Sequence, residues 1–261
     1  MQIPIYQVDA FTDRLFAGNP AAICPLPQWL PDAAMQAIAA ENNLSETAFI
    51  VREETDYALR WFTPTVEVDL CGHATLASAY VVFKFLEPDR TEVAFRALKA
   101  GTLRVRREGE QLAMDFPATP PKPVVTSTEL ATALGRTPKE VLAARDYLAV
   151  YDNAADVAAL APDFAAIAKL DRFAVIATAP GGNGVDFVSR FFAPAQGVPE
   201  DPVTGSAHCT LTPYWAHRLR KSRLEARQIS PRGGKLTCTL DGDRVIIAGR
   251  AVLYLQGEIT V

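Results

Sequence analysis

The chain has 261 residues, with 26 Lys and Arg against 30 Asp and Glu, a net charge of −4 and 49% hydrophobic residues. That composition supplies a full globular core, and its weakly acidic balance offers no basic footprint for nucleic acid. No apolar run reaches membrane-spanning length, MQIPIYQVDAF lacks the regions of a signal peptide, and Cys24, Cys71, Cys209 and Cys238 form no CxxC pair. A cytoplasmic protein with reduced thiols is therefore expected, one that binds neither membrane nor nucleic acid.

Ile3 to Val8 alternates as an opening strand, and Ala17-Gly18-Asn19-Pro20 breaks it as a turn. Pro31-Asp32 opens a helix with Met35, Ile38 and Ala39 on one face, ending near Asn42-Asn43. Thr47–Arg52 and Tyr57–Phe62 pattern as paired strands. The stretch from Ala74 to Phe83 is apolar nearly all round, which predicts a buried helix. A hairpin of Thr102–Arg107 with Gln111–Phe116 follows. Pro117, Pro120, Pro121 and Pro123 then mark the boundary. Two capping boxes, Thr126-x-x-Glu129 and Thr137-Pro138-Lys139-Glu140, predict short surface helices. Strands resume at Arg172–Thr178 and Val185–Phe192, with Gly181 to Gly184 as a loop between them. A second buried helix spans Ala207 to Leu219, and Lys235–Leu240 with Arg244–Ala248 forms a second hairpin.

The two series of elements are copies of one another. Cys71-Gly72-His73-Ala74 returns as Thr204-Gly205-Ser206-Ala207. At the same offset Gly101 maps on Gly234, Leu103 on Leu236 and Gly109 on Gly242. Upstream, Arg60-Trp61-Phe62-Thr63-Pro64 matches Arg190-Phe191-Phe192-Ala193-Pro194 after a small slip. The fold class implied is α+β: two pseudo-symmetric lobes, each an antiparallel sheet or barrel wrapped around a central helix, since strands joined by very short turns must be antiparallel. The lobes are assigned to residues 1–117, joined by a last strand at about 250–261, and 118–249. A ligand is expected in the cleft between them.

In each copy a Gly-x-Ala step precedes a buried helix, whose first-turn N–H groups lack internal partners and lie at the positive end of the dipole. Paired, they suit a carboxylate. Taken singly, Gly72 and Gly205 are as well explained by tight turns; His73 and Ser206 beside them favour a site. Asp69, Cys71 and His73 surround the first turn, and Glu200, Asp201 and Ser206 the second. A carboxylate and an imidazole there can exchange protons with a carbon acid. Glu46, in Asn43-Leu44-Ser45-Glu46-Thr47-Ala48-Phe49, is a further candidate, although Ser45-Glu46 also fits a solvated turn. The histidines, at 73, 208 and 217, form no HExxH and pair with no zinc-type thiol spacing, so no metal is expected. Thr204-Gly205-Ser206-Ala207-His208 is not a GxSxG elbow. Arg104, Arg106 and Arg107 are read as a solvated strand face.

FAGNPAAIC, NLSETAFI, LRWFTPTVEVDLCGHATLASAYVVF and EDPVTGSAH, in this order over nearly the whole chain, resemble the signature segments of the PhzF-like (phenazine-biosynthesis-like) family. The resemblance implies the diaminopimelate-epimerase-like fold and an isomerase that needs no cofactor, acts on a small-molecule carboxylate and works as a homodimer. The family's best-understood member isomerises trans-2,3-dihydro-3-hydroxyanthranilate. By the same resemblance Glu46 is the catalytic acid/base, His73 supports the transfer, and Asp201 holds the substrate's amino or hydroxyl group. Gly72, Gly205 and Ser206 contact its carboxylate, and Ser45 and Cys71 line the pocket.

Cys71 departs from the phenazine enzyme, which has a small non-thiol residue there, and matches a catalytic thiol of related epimerases and racemases. The second thiol that such an enzyme needs is missing, because Cys209 falls one turn inside the second helix, where core packing explains it. Three functions are carried forward: a proton-transferring isomerase, a thiol-assisted epimerase using Cys71, and a binding protein without turnover.

Overall fold

The computed structural model describes residues 1–125 and 127–261. The chain divides into two compact units, Met1–Asp115 with Ala248–Val261, and Phe116–Ile247.

The first unit opens with β1 (Gln2–Ala10) antiparallel to β2 (Asn19–Leu26). The turn between them requires Gly18, whose φ is +68° and whose Cβ, if present, would meet the Ala10 carbonyl oxygen at 2.2 Å. Helix α1 (Asp32–Asn42) lays Met35, Ile38 and Ala39 against Cys24, Phe49 and Phe62, the face its periodicity predicts. Because α1 crosses over, β3 (Glu46–Glu53) runs parallel to β2, and β4 (Asp56–Phe62) then turns back antiparallel. After β5 (Glu67–Val68) comes α2 (Gly72–Val81), followed by β6 (Glu92–Ala97), parallel to β4, and the hairpin β7 (Gly101–Glu108) with β8 (Gln111–Pro117). Helix α2 is buried from His73 to Ala79. Its small residues let strands approach closely. The Thr75 and Ser78 hydroxyls donate to the Cys71 and Ala74 carbonyls at 2.6 and 2.7 Å, so burial orphans neither.

The second unit contains β9 (Lys122–Pro123), α3 (Thr128–Leu134), β10 (Glu140–Ala143), β11 (Tyr147–Val150), α4 (Ala154–Ala158) and α5 (Phe164–Ile167). These precede β12 (Val175–Pro180), β13 (Phe187–Phe192), α6 (Gly205–Leu219), β14 (Arg223–Gln228), β15 (Gly234–Asp241) and β16 (Arg244–Gly249). From β10 to β15 the successive pairings are antiparallel, parallel, antiparallel, parallel and antiparallel. The series β1, β2, β3, β4, β6, β7 has the same order of directions. The repeat thus extends well beyond the residues that still match. After β16 the chain returns to the first unit as β17 (Ala251–Thr260), which pairs antiparallel along β1 from Gln2↔Thr260 to Ala10↔Ala251.

The fold is α+β, with antiparallel pairs in the majority and each parallel pair joined through a helix. Some local expectations change. Thr126 lies outside the described residues, and α3 is capped by Ser127, whose hydroxyl accepts from the Leu130 N–H at 3.1 Å. The box at Thr137 opens a strand, not a helix: Glu140–Ala143 pairs with β11, and the Lys139 N–H bonds to the Val150 carbonyl at 2.8 Å. Residues 172–174 and 185–186 precede their strands, not form them. Arg107 is not simply solvated, since its guanidinium donates to the Phe83 carbonyl at 2.9 Å.

Helix α6 contains Pro213, which cannot donate to the Cys209 carbonyl one turn back. The Thr119 N–H occupies that carbonyl instead, at 2.9 Å, and the Thr119 and Thr210 hydroxyls meet at 2.8 Å. The Pro-rich segment is therefore docked on the helix. Trp215 stacks on Phe187 at 5.8 Å and donates its indole N–H to the Thr178 hydroxyl.

Each unit also contains an arginine fork. Arg60 holds Glu67 through Nε and Nη2, both at 2.7 Å, and reaches Asp32 of α1 at 2.8 Å. Its counterpart Arg190 holds Glu200 at 2.7 and 2.8 Å and reaches the Leu160 carbonyl at 2.8 Å. The second pair is the more buried, with side chains 10% and 13% exposed against 22% and 41%.

Two predictions follow from this packing. Arg190→Met strands a buried carboxylate and costs about 3–5 kcal/mol in urea unfolding, whereas Arg60→Met costs about 1 kcal/mol. Buried His208, whose Nδ1 lies 2.8 Å from the Thr204 carbonyl, has its pKa lowered from 6.5 to about 4, chiefly by desolvation. Between those values the unfolded chain binds the extra proton. The stabilisation is therefore complete above pH 6.5 and is lost as pH falls towards 4, by roughly 3 kcal/mol. His208→Gln should remove that slope; an unchanged slope would mean that another group causes it.

Candidate active site

At the start of α2 the local sequence places three reactive side chains together. Cys71 is extended (φ −141°, ψ 109°) and supplies no side-chain cap, so the first-turn amides of the helix are not taken by it. His73 follows in that turn, buried. Glu46 begins β3 opposite Ala21 of β2, and the Asn42 side chain, donating to the Thr47 hydroxyl at 3.0 Å, pins the strand start. Glu46 Oε2 stands 3.0 Å from His73 Nε2. That oxygen is buried and has no aligned hydrogen-bond donor. Cys71 Sγ lies 3.5 Å from His73 Nδ1, and Asn19 Nδ2 lies 3.2 Å from the same nitrogen.

Burial disfavours the charged imidazole, but Cys71 and Glu46 outweigh it and hold His73 well above its ordinary pKa. Burial, reinforced by Glu46, pushes the Cys71 thiol up to about 11, so the thiol keeps its proton at neutral pH. The cluster thus sets a carboxyl group at one ring nitrogen of His73 and a thiol near the other. Its three ligand-type atoms lie within 4.8 Å of one another, the only such grouping of three metal-binding residue types among the described residues.

At the start of α6 the chemistry differs. Thr204, the counterpart of Cys71, donates its hydroxyl to Asp201 Oδ2, and Gln228 locks the turn. The Gln228 oxygen accepts from the Thr204 N–H at 2.9 Å, and its amide donates to the Asp201 carbonyl at 2.7 Å. Ser206 is half-buried in the first turn. Arg145 reaches its hydroxyl at 3.4 Å while both its Nε and Nη2 donate to buried Asp146 at 2.9 and 2.8 Å.

Of the residues singled out in sequence, Glu46, Cys71 and His73 come together, with Gly72 between the last two. Ser45 is half-buried directly before Glu46. Asp201, Gly205 and Ser206 are grouped at the second helix start. Asp69 instead faces solvent in an ion pair with Lys99 at 2.8 Å, and Glu200 is held in the arginine fork. Cys209 is core, as expected. Sequence reasoning passed over Asn19, read only as a turn residue, and Gln228 and Arg145, which carried no local signal. Asn19 lies in the FAGNPAAIC segment, so its position next to Gly18 was the available clue.

The family model for phenazine biosynthesis-like proteins (PhzC-PhzF) matches residues 8–257. An uncharacterized isomerase of Pseudomonas aeruginosa is 56% identical over 99% of both chains. A PhzF-family crystal structure from Enterococcus faecalis superposes with a TM-score of 0.97 at 48% identity, covering 100% of each chain. A hydroxyproline epimerase from Agrobacterium vitis, at 12% identity and a TM-score of 0.60 over 99% of this chain and 92% of its own, shares the fold alone. The chain belongs to the phenazine biosynthesis-like protein family, has the diaminopimelate-epimerase-like fold, and is an enzyme of the isomerase class.

Proposed function

We propose that the protein is a cofactor-independent isomerase that moves a proton between carbons of a small amino- or hydroxy-carboxylic acid. The observation that supports this most directly is Glu46 Oε2, buried, 3.0 Å from His73 Nε2 and without an aligned donor. A carboxylate oxygen so placed keeps a lone pair for a carbon-bound proton, and the adjacent imidazolium stabilises negative charge developing on the substrate. Glu46 takes the proton and returns it to a second carbon, while Asn19 holds the His73 ring, its side-chain oxygen accepting from Nδ1–H once the amide is turned over.

In the first unit the first-turn amides at Gly72, beside Ser45 and Cys71, suit a substrate carboxylate; in the second unit the amides at Gly205-Ser206 suit an anion, and Asp201 an amino or hydroxyl group. Relatives that are isomerases are compatible with this chemistry. A thiol-assisted epimerase is less well supported, because a thiol raised to about 11 is a poor base at neutral pH.

Proton exchange in D2O, followed by NMR with trans-2,3-dihydro-3-hydroxyanthranilate and a panel of amino and hydroxy acids, tests the proposal. Glu46→Gln should lower exchange by about 10³-fold or more, within or above the range for a general acid–base group, with the fold unchanged by circular dichroism. Full exchange in Glu46→Gln would overturn the assignment. Dependence on Cys71 alone would favour the epimerase.

A further inference from the structure

We propose that the first unit carries a second ligand site, for a phosphate monoester with an apolar body, at the carboxyl end of α2. There Lys84 and Arg107 present two positive charges to one cavity. The site is independent of the isomerase reading and shares no residue with the cluster of Glu46, Cys71 and His73.

Helix α2 runs on into a π-helical turn, Val82–Leu86, closed by the Glu87 N–H on the Val82 carbonyl at 2.7 Å. Such turns are uncommon and occur often at functional sites. Beside it lies a cavity of about 380 Å³, lined in part by Tyr80, Phe83, Lys84, Pro88, Arg107 and Leu112. That volume is within the range of small-molecule sites. Phe83 and Leu112 are buried and make part of its wall apolar.

Both cations are held in place by neutral groups. Arg107 lies over the Phe83 ring at 5.0 Å, and its Nη2 donates to the Phe83 and Pro88 carbonyls at 2.9 and 3.4 Å. Among the described residues no hydrogen bond occupies its Nε or Nη1. Lys84 Nζ donates to the Tyr80 hydroxyl at 2.9 Å, which leaves the hydroxyl proton to donate elsewhere. Neither cation has a carboxylate at ion-pair distance among the described residues, and Glu110, also at the cavity, is engaged by Arg250. Other ordered arginines of the chain are neutralised: Arg60 by Glu67, Arg90 by Asp56, Arg145 by Asp146 and Arg190 by Glu200. The negative end of the helix offsets about half a charge, so capping it accounts for only part of the two. A phosphate monoester brings a charge of about −1.5 to −2 and three acceptor oxygens, which match two cations and a hydroxyl donor. A carboxylate supplies about half that charge.

Isothermal titration of the whole protein with phenyl phosphate, at low salt and about pH 7.5 where the phosphate is mostly the dianion, tests the site. One equivalent should bind. Inorganic phosphate, which lacks the apolar body, and benzoate, which lacks the second charge, should each bind about tenfold more weakly. Arg107→Gln and Lys84→Gln should each weaken phenyl phosphate by about tenfold or more, the effect of losing a charge-assisted hydrogen bond. Arg106→Gln makes the same charge change one residue away, on a side chain paired with Glu108, and should leave the affinity unchanged. Ser206→Ala, at the start of α6, should also leave it unchanged. Thermal melts show which variants are folded; Lys84 is exposed, so Lys84→Gln decides the matter even if Arg107→Gln unfolds. Equal weakening in Arg106→Gln, unchanged affinity in Lys84→Gln, loss of binding in Ser206→Ala, or no binding at all overturns the site. Benzoate binding as tightly as phenyl phosphate overturns the choice of phosphate, and inorganic phosphate binding as tightly overturns the apolar body.

Discussion

The arginine forks fix the short loops that lead into the two buried helices. Arg60 and Arg190 stand at matching places on β4 and β13, and each grips a glutamate that precedes a helix by five residues. A guanidinium bound at two nitrogens fixes the direction of the carboxylate as well as its position. The third nitrogen ties the fork to the helical layer, through Asp32 in one unit and through the Leu160 carbonyl in the other. The loops Asp69–Cys71 and Asp201–Thr204 are thereby anchored at one end by an ion pair and at the other by a buried helix. Such short loops have little freedom left, which is what a site needs if its reacting atoms must hold fixed distances.

On this shared frame the copies have diverged where chemistry is possible and not where packing is required. Thr75 and His208 are counterparts, and both turn their side chains back to the carbonyl four residues earlier, that of Cys71 or of Thr204. His73 and Ser206 are counterparts too, yet one meets a carboxylate and a thiol, and the other an arginine. Duplication supplies two equivalent helix starts; substitution at a few positions makes one a buried cluster of carboxyl, imidazole and thiol and the other a polar turn secured by Gln228.

Much of this was legible because the repeat preserved glycines at turns that only glycine makes easily: Gly109 and Gly242 have φ of +61° and +58° at the tips of equivalent hairpins. Helix α2 was visible as a run with no polar face, α6 as its counterpart in the repeat, and α1 by its three-residue apolar stripe. Strand direction was less legible, since β2–β3 and β4–β6 are parallel pairs whose partners are set by crossovers, not by turn residues. Glu140–Ala143 is too short to show a period, and a capping-box spelling misassigned its start. Within the site, Cys71 and His73 were near in sequence and easily grouped. Asn19 meets His73 across 54 positions, and no local pattern encodes such a contact. Gln228 likewise contributes to the turn at Thr204 from a distant strand.

The pairing of β17 with β1 has a consequence for how the molecule is made. The first unit begins with the opening strand but is closed by a strand that leaves the ribosome only after all of Phe116–Ile247. Synthesis usually lets the leading domain finish first. Here the order is inverted: the second unit has its full sequence while β1 still shows one bare edge, the kind of surface that recruits stray strands. The nascent first unit is thus the vulnerable species during translation, and β17 is the part that ends its exposure.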